Sequence, residues 1–364
     1  MIKDIKTTHQ TIDKAKLKLP ANKPKSSNFL YRLLFGSAML CLYLYITSKN
    51  NFFIVIISLS LSIGMMYELI SITKKHDKPY SINKFLVFLI ASIIFLQRAL
   101  PALVLFYPKI PILIHLSHLK PLLFTFYAIC LISTVAQLRI KPLKSQLLLL
   151  MAVHTTSYLS GLIFSFSIQN INHGKFFYVY PSLLIISNDI FAYFIGKTFG
   201  KTPLFSLSPN KTLEGFIGGF VFTFLIGNLL SYLKINSQFF YDPSHKHLEL
   251  PASINIQWLN FPIMYVHNLA FVFAASFLAP FCGFIASAIK RSFQKKDFGS
   301  LIPGHGGLTD RFDCQILMVF FTHYYLRVFS NQNNSSATLI YKFLADNLTD
   351  DDLKELCKIL TRPS

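Results

Sequence analysis

Charge is scarce in this chain. Only 14% of its 364 residues are Asp, Glu, Lys or Arg, against about 25% in soluble globular domains. Acids are the scarcer sign, 16 against 35 bases. A chain this poor in charge is not a soluble domain with a large core. Cysteine is sparse as well. Cys41, Cys130, Cys282, Cys314 and Cys357 are scattered, with no C-x-x-C pair, which excludes a disulfide framework and a zinc module. They read as small apolar fillers. No internal repeat is visible. Residues 1–28 contain no apolar core and carry seven lysines against Asp4 and Asp13, so they are not expected to be a signal peptide. They read as a basic, disordered cytosolic tail touching anionic headgroups.

What the chain has is apolar length. Hydrophobic residues make up 52%, Phe alone occurs 37 times, and the mean hydropathy is +0.46. Apolar segments recur at about 30–46, 52–73, 85–107, 121–137, 146–168, 176–195, 213–233, 263–286 and 312–329. Each is near the length of a spanning helix. The expectation is an all-α, polytopic integral membrane protein with about nine transmembrane helices and a polar site at the cytosolic membrane interface. Pro101, Pro108, Pro111 and Pro121 leave the boundaries there open, with room for a re-entrant piece. Pro280 and Gly283 predict a bend in the eighth segment. The chain divides into the tail 1–28, N-terminal helices 29–187, a C-terminal catalytic region 188–329 and a polar tail 330–364.

A net charge of +19 would suggest nucleic acid in a soluble protein. Here the bases sit in alternate loops. Segments 74–84, 138–145, 196–212 and 287–311 are rich in Lys and Arg, whereas 47–51, 108–120, 169–175 and 234–262 are poorer. That alternation is the positive-inside pattern and puts the first set in the cytosol. No nucleic acid is implied; the partners are membrane lipids and an anionic ligand.

Two of the cytosolic loops carry the chemistry. Asn188 to Gly219 begins with Asp189, an acid inside an apolar span, which needs a polar cavity, a metal or a cation. Lys211 follows at the start of the next helix, where a helix N-terminus and a lysine make an anion site. The second stretch reads S-A-I-K-R-S-F-Q-K-K-D-F-G-S-L-I-P-G-H-G-G-L-T-D-R-F-D from Ser287 to Asp313. Asp310 and Asp313 are three apart and share a helix face. With Asp297 they offer oxygen ligands to a hard cation such as Mg²⁺, which needs only one or two carboxylates beside phosphates and water. Lys290, Arg291, Lys296 and Arg311 supply positive charge for phosphate groups, while Lys295 reads as positive-inside charge alone. Gly304, Gly306 and Gly307 allow backbone N–H groups to approach a phosphate, and His305 can donate to one.

That second stretch resembles the pattern of the phosphatidate cytidylyltransferases, also called CDP-diacylglycerol synthases. The likeness runs through Ser287, Lys290, Arg291, Lys296, Asp297, Gly299, Pro303 to Gly307, and Asp310-Arg311-x-Asp313. The upstream N-D-x-F-A-Y-x-x-G and S-P-x-K-T-x-E-G-F segments are similar too, with Asn210 where the family usually has a second lysine. The resemblance is clear over residues 188–329 and implies transfer of CMP from CTP to phosphatidate, with Mg²⁺, giving CDP-diacylglycerol and pyrophosphate. It implies metal roles for Asp297, Asp310, Asp313 and Asp189. Catalytic charge would come from Lys296 and Arg311, and substrate contacts from Lys211, Lys290, Arg291, Gly304, His305, Gly306 and Gly307. It also implies a homodimer, and the setting expected is the endoplasmic reticulum membrane with the site facing the cytosol.

Two other readings start from the same residues. A CTP-dependent polyprenol kinase would release CDP rather than pyrophosphate. A transporter of an anionic solute would show matching interrupted helices in two halves, which the chain lacks.

Nine crossings from a cytosolic start put residues 330–364 in the lumen, with the acceptor triplets beginning at Asn333 and Asn347. A glycosidase-sensitive mobility shift, abolished by Asn333→Gln and Asn334→Gln with Asn347→Gln, is the expected outcome in microsomes, since Asn334-Ser335-Ser336 is an overlapping acceptor.

Overall fold

Inside lipid every backbone polar group must be satisfied within its own segment, so apolar stretches of this length become helices. The structure is a computed structural model that describes residues 29–74, 82–205, 208–236, 253–256, 259–262, 264–301 and 306–329. The tails 1–28 and 330–364, with the acceptor triplets, lie outside the described residues. Helices α1 (Phe29–Ser48), α2 (Asn51–Lys74), α3 (Lys84–Phe106), α4 (Pro111–His118), α5 (Lys120–Val135), α6 (Leu143–Asn172) and α7 (Phe176–Phe199) come first. A hairpin of β1 (Pro203–Phe205) and β2 (Ser208–Thr212) leads to α8 (Leu213–Asn236). A second hairpin, β3 (Ser253–Ile256) and β4 (Leu259–Pro262), precedes α9 (Met264–Phe273), α10 (Ala279–Ser292) and α11 (Thr309–Phe329). Both hairpins are antiparallel.

Among the described residues six helical segments are long and apolar enough to cross a membrane: Asn51–Thr73, Lys84–Phe106, Leu143–Asn172, Phe176–Phe199, Leu213–Lys234 and Met264–Ser292. A multi-pass membrane protein follows from these. The other three expected segments are helical as well but differ in character. The apolar part of α1, Gly36–Ser48, and α5 are shorter than a span. α11 opens on Asp310, Arg311 and Asp313. The proline-rich region resolves as α3 running through Pro101, then α4 of 8 residues, about 12 Å long and too short to cross.

The eighth segment departs from a straight helix one turn before Pro280. Residues Ala274–Leu278 form a π turn, closed by Ala279 N–H donating to the Ala274 carbonyl. Proline has no N–H to give to the carbonyl four residues earlier. The register slips there by one residue, as π turns do.

Apolar burial does not drive helices together in lipid; close packing and small residues do. α6 supplies these at the centre, with Ser157, Ser160, Gly161, Ser165 and Ser167 buried along it, and it packs on α2, α3 and α11. α7 and α8 cross at Gly196 and Gly215. A Cβ on Gly215 would lie 2.6 Å from the Ala192 carbonyl and 3.0 Å from the Gly196 Cα.

Loop contacts sort the helix ends into two groups. Asn83 N–H donates to Gln137 Oε1 at 3.0 Å, joining the loops on either side of α3 and α5. At the opposite end the Lys175 ammonium donates to the Lys49 carbonyl at 2.7 Å, and Ser58 Oγ donates to the Tyr178 hydroxyl at 3.0 Å. Asn83 and Gln137, beside two of the basic segments, thus meet at one end, and Lys49 and Lys175, in two of the less basic ones, at the other.

Gly215→Val forces α7 and α8 apart at a backbone contact that cannot yield. Overpacking of this kind costs about 1–3 kcal/mol. A lower thermal midpoint in detergent is the expected result, while Ile217→Val on the exposed face of α8 leaves the midpoint unchanged.

Candidate active site

The loop after α10 is shaped by its helix end. Gln294 adopts a left-handed φ of 52°, Gln294 N–H donates to the Arg291 carbonyl at 3.0 Å, and Lys295 N–H donates to the Lys290 carbonyl at 2.8 Å. This pair of bonds is a Schellman motif. It turns the chain back so that Lys296 and Asp297, both exposed, return towards the start of α11. Gly306 completes the approach at φ +88°. A Cβ there would stand 3.2 Å from Asp297 Cγ and 3.3 Å from Asp310 Oδ2. Asp297 and Asp310 therefore share one glycine as a floor.

Asp310 is the most fully held acid of the loop. Its Oδ1 accepts from the Lys290 ammonium at 2.6 Å. Its Oδ2 accepts from Phe298 N–H at 2.9 Å and Gly307 N–H at 3.0 Å. The Lys290 and Asp310 side chains are 12% and 6% exposed, and the ammonium also lies over the Phe298 ring. The Arg291 guanidinium donates to the Lys295 carbonyl at 3.2 Å. Lys290 and Arg291 thus brace the loop as well as charging it.

Asp313 lies one turn further, between α10 and α11. Its Oδ1 accepts from Cys314 N–H at 2.7 Å, and its Oδ2 would be 3.5 Å from a Cβ on Gly283. Lys290 and Lys211 both lie within its electrostatic reach. Lys211 comes from β2, just before Thr212, which caps α8 by accepting from Gly215 N–H at 3.2 Å. Glu214 anchors the hairpin base by accepting from Lys201 N–H at 3.1 Å and from the Thr202 hydroxyl at 2.7 Å. The Lys211 ammonium sits 4.9 Å from the Phe284 ring centre on α10.

Asp189 joins the same group. It lies on α7, keeps an exposed face, and is in the field of Lys211, Asp313 and Arg311. No hydrogen bond from a described residue reaches its carboxylate. The two charged stretches, separated in sequence by residues 220–286, therefore meet around Asp313. Gly304 and His305 lie outside the described residues.

One site residue carries no sign in the loop motifs. Glu68, on α2, is 5% exposed. Its Oε1 accepts from Leu308 N–H and its Oε2 from Thr309 N–H, both at 2.8 Å. It is an acid inside an apolar span, the same signal that singles out Asp189. That signal, applied evenly along the chain, would have found it.

Among the described residues no three His, Cys, Asp or Glu side chains form a cage for a metal. The carboxylates stand instead as two pairs, Asp297 with Asp310 and Asp189 with Asp313. A pair suits Mg²⁺, which takes one or two carboxylates and leaves its other positions to phosphates and water. Of the two pairs, Asp189 and Asp313 have more carboxylate oxygen unengaged by protein donors.

The cytidylyltransferase family model matches residues 30–329. The chain belongs to the cytidylyltransferase family. It is 35% identical over 339 residues to the phosphatidate cytidylyltransferase of Encephalitozoon cuniculi, covering 92% of this chain and 86% of that one. It is 30% identical over 377 residues to a putative phosphatidate cytidylyltransferase of Schizosaccharomyces pombe, covering 93% and 84%. The phosphatidate cytidylyltransferase of Saccharomyces cerevisiae is 35% identical over 267 residues, covering 67% and 58%. The cytidylyltransferase match takes in α2 and Glu68 as well as the two charged stretches.

Lys290→Met leaves the buried Asp310 carboxylate without its cation. Breaking one side of such a pair costs about 3–5 kcal/mol. The double variant with Asp310→Asn should lose less stability than Lys290→Met alone, read as thermal midpoints in a double-mutant cycle.

Proposed function

We propose that this chain is a phosphatidate cytidylyltransferase. It transfers CMP from CTP to phosphatidate and releases pyrophosphate. The observation that carries the reading is the meeting of Lys211 and Lys290 about Asp313, with Asp189 beside it, in a chain whose relatives carry that activity in their names.

Both reactants are anions, so the first task is to overcome their repulsion. Lys211, Lys296 and Arg311 are assigned to the substrate phosphates, with Arg291 at the loop. Gly304, His305 and Gly306 are assigned to the nucleotide side. A phosphate oxygen of phosphatidate attacks the α-phosphorus of CTP in line, and the bond from the α-phosphorus to the bridging β-phosphate oxygen breaks. The nucleophile is already an anion, so no general base is required. Positioning and neutralisation of charge carry the rate.

Asp189 and Asp313 would hold Mg²⁺, which would supply neutralisation of phosphate charge. Asp297 belongs to the other pair, with Asp310, and would be a carboxylate for metal-bound water at the loop. Asp310, with both oxygens engaged, sets the loop and holds Lys290. The acyl chains of the substrate stay in the bilayer while its headgroup reaches the basic end of the bundle. That end is assigned to the cytosolic face of the endoplasmic reticulum membrane, in line with its basic loops, and the enzyme to a homodimer.

The test is the purified enzyme with labelled CTP and phosphatidate in mixed micelles. Equal amounts of CDP-diacylglycerol and pyrophosphate are expected, lost on chelation and restored by Mg²⁺. Asp313→Asn should lower kcat by about 100-fold or more. Release of CDP with a phosphorylated lipid alcohol would identify a kinase instead.

A further inference from the structure

We propose that Glu68 is a positioning residue for this reaction: its carboxylate holds Gly299 and the 307–309 segment against α2 and so sets where Asp310, Arg311 and Asp313 stand. The inference rests on the cytidylyltransferase reading above and goes beyond it, because Glu68 belongs to neither charged stretch.

The first amides of a helix have no partner within it, and a nearby side chain usually takes them. At α11 the partners come from elsewhere. Leu308 N–H and Thr309 N–H both donate to Glu68, 240 and 241 residues earlier in sequence. The hydroxyl of Thr309 is buried and makes no hydrogen bond among the described residues. A carboxylate at this point also meets the positive end of the helix dipole. The adjacent Gly307 N–H goes to Asp310. Three consecutive amides are thus divided between two acids, one from each half of the chain.

The surrounding glycines fit the same carboxylate. The three atoms nearest a Cβ on Gly299 would all belong to Glu68, with Oε1 at 2.7 Å, Cδ at 3.2 Å and Cγ at 3.4 Å. A Cβ on Gly307 would lie 2.7 Å from Gly299 N and 2.8 Å from Glu68 Oε2. The carboxylate therefore occupies a slot whose walls have no side chains. Below it, Ile72 of α2 packs with Ala286 of α10 and with Phe298. This small apolar floor keeps water from competing for the two amides. Glu68 touches no group assigned to substrate. It acts through the loop, and a misplacement of about 1 Å at a reacting centre costs on the order of 100-fold in rate.

Glu68→Gln is the direct test. Its amide offers one acceptor, and its NH₂ would face a backbone N–H donor, so both bonds cannot form. The expected result is a fall in kcat of about 100-fold, with the KM for CTP and phosphatidate little changed, in protein whose folded fraction matches wild type. Wild-type kcat, or a loss that only tracks the folded fraction, overturns the proposal. Should Glu68→Gln not fold, Gly299→Ala decides. It keeps every hydrogen-bonding group and presses one methyl on the carboxylate, so kcat should fall about tenfold by the same misplacement; an unchanged kcat overturns the proposal. If wild type makes no CDP-diacylglycerol, the assigned reaction falls, and amide exchange across residues 299–309 judges the loop role by itself. Faster exchange in the variant that folds, Glu68→Gln or Gly299→Ala, upholds it, and unchanged exchange overturns it.

Discussion

An acid in an apolar helix is tolerable only where donors wait for it, and the placing of this site follows from how that condition is met at Glu68. α2 sets its carboxylate against the start of α11, and the amides of Leu308 and Thr309 at that start are satisfied by it. The two needs meet in one contact between distant parts of the chain. α10 is drawn into the same contact through Ile72, Ala286 and Phe298. The N-terminal helices are therefore part of the site's frame as well as a membrane anchor.

The acids around this frame form a series in how far the protein itself satisfies them. Glu68 has two amides. Asp310 has two amides and an ammonium. Asp313 has one amide, with lysines within electrostatic reach. Asp189 has charged neighbours but no hydrogen bond from the described residues. A carboxylate already saturated by the protein has little left for a ligand, and one left open has most. The series runs from framework to chemistry as it moves from α2 across α11 to α7. On the proposed reading, one functional group, the carboxylate, serves two purposes.

Much of this was legible in the sequence because membranes make few demands and make them strictly. Runs of apolar residues became helices, and residues beside two of the basic segments, Asn83 and Gln137, met at one end of the bundle. Asp310 with Asp313, three apart, fell on one helix as the spacing required. The π turn before Pro280 was legible only as a bend, since the missing N–H acts on a carbonyl one turn upstream. The pairing of Lys290 with Asp310 was hidden, because a lysine beside a phosphate motif reads equally as a ligand or as a brace. Glu68 itself stood out as an acid in an apolar span, but what it holds was hidden. Its partners are backbone amides, which every residue possesses, so no sequence pattern marks them.

The glycine-rich turn shows the same limit and carries a consequence for binding. Glycines in such a loop suggest amides laid open to phosphate. Here Gly299 and Gly307 make room for the Glu68 carboxylate, and Gly306 turns between Asp297 and Asp310 at a φ that a side chain would resist. The amides of Gly307, Leu308 and Thr309 are already given to acids. On the proposed reading, phosphate charge falls chiefly to side-chain cations, Lys211 from the hairpin, Lys296 from the loop and Arg311 from α11. Cations on flexible stems can follow a reactant from entry through bond exchange, which a rigid ring of amides cannot do. Their aim depends on the rigidity of the backbone beneath them, and in this fold the carboxylates of Glu68 and Asp310 provide it.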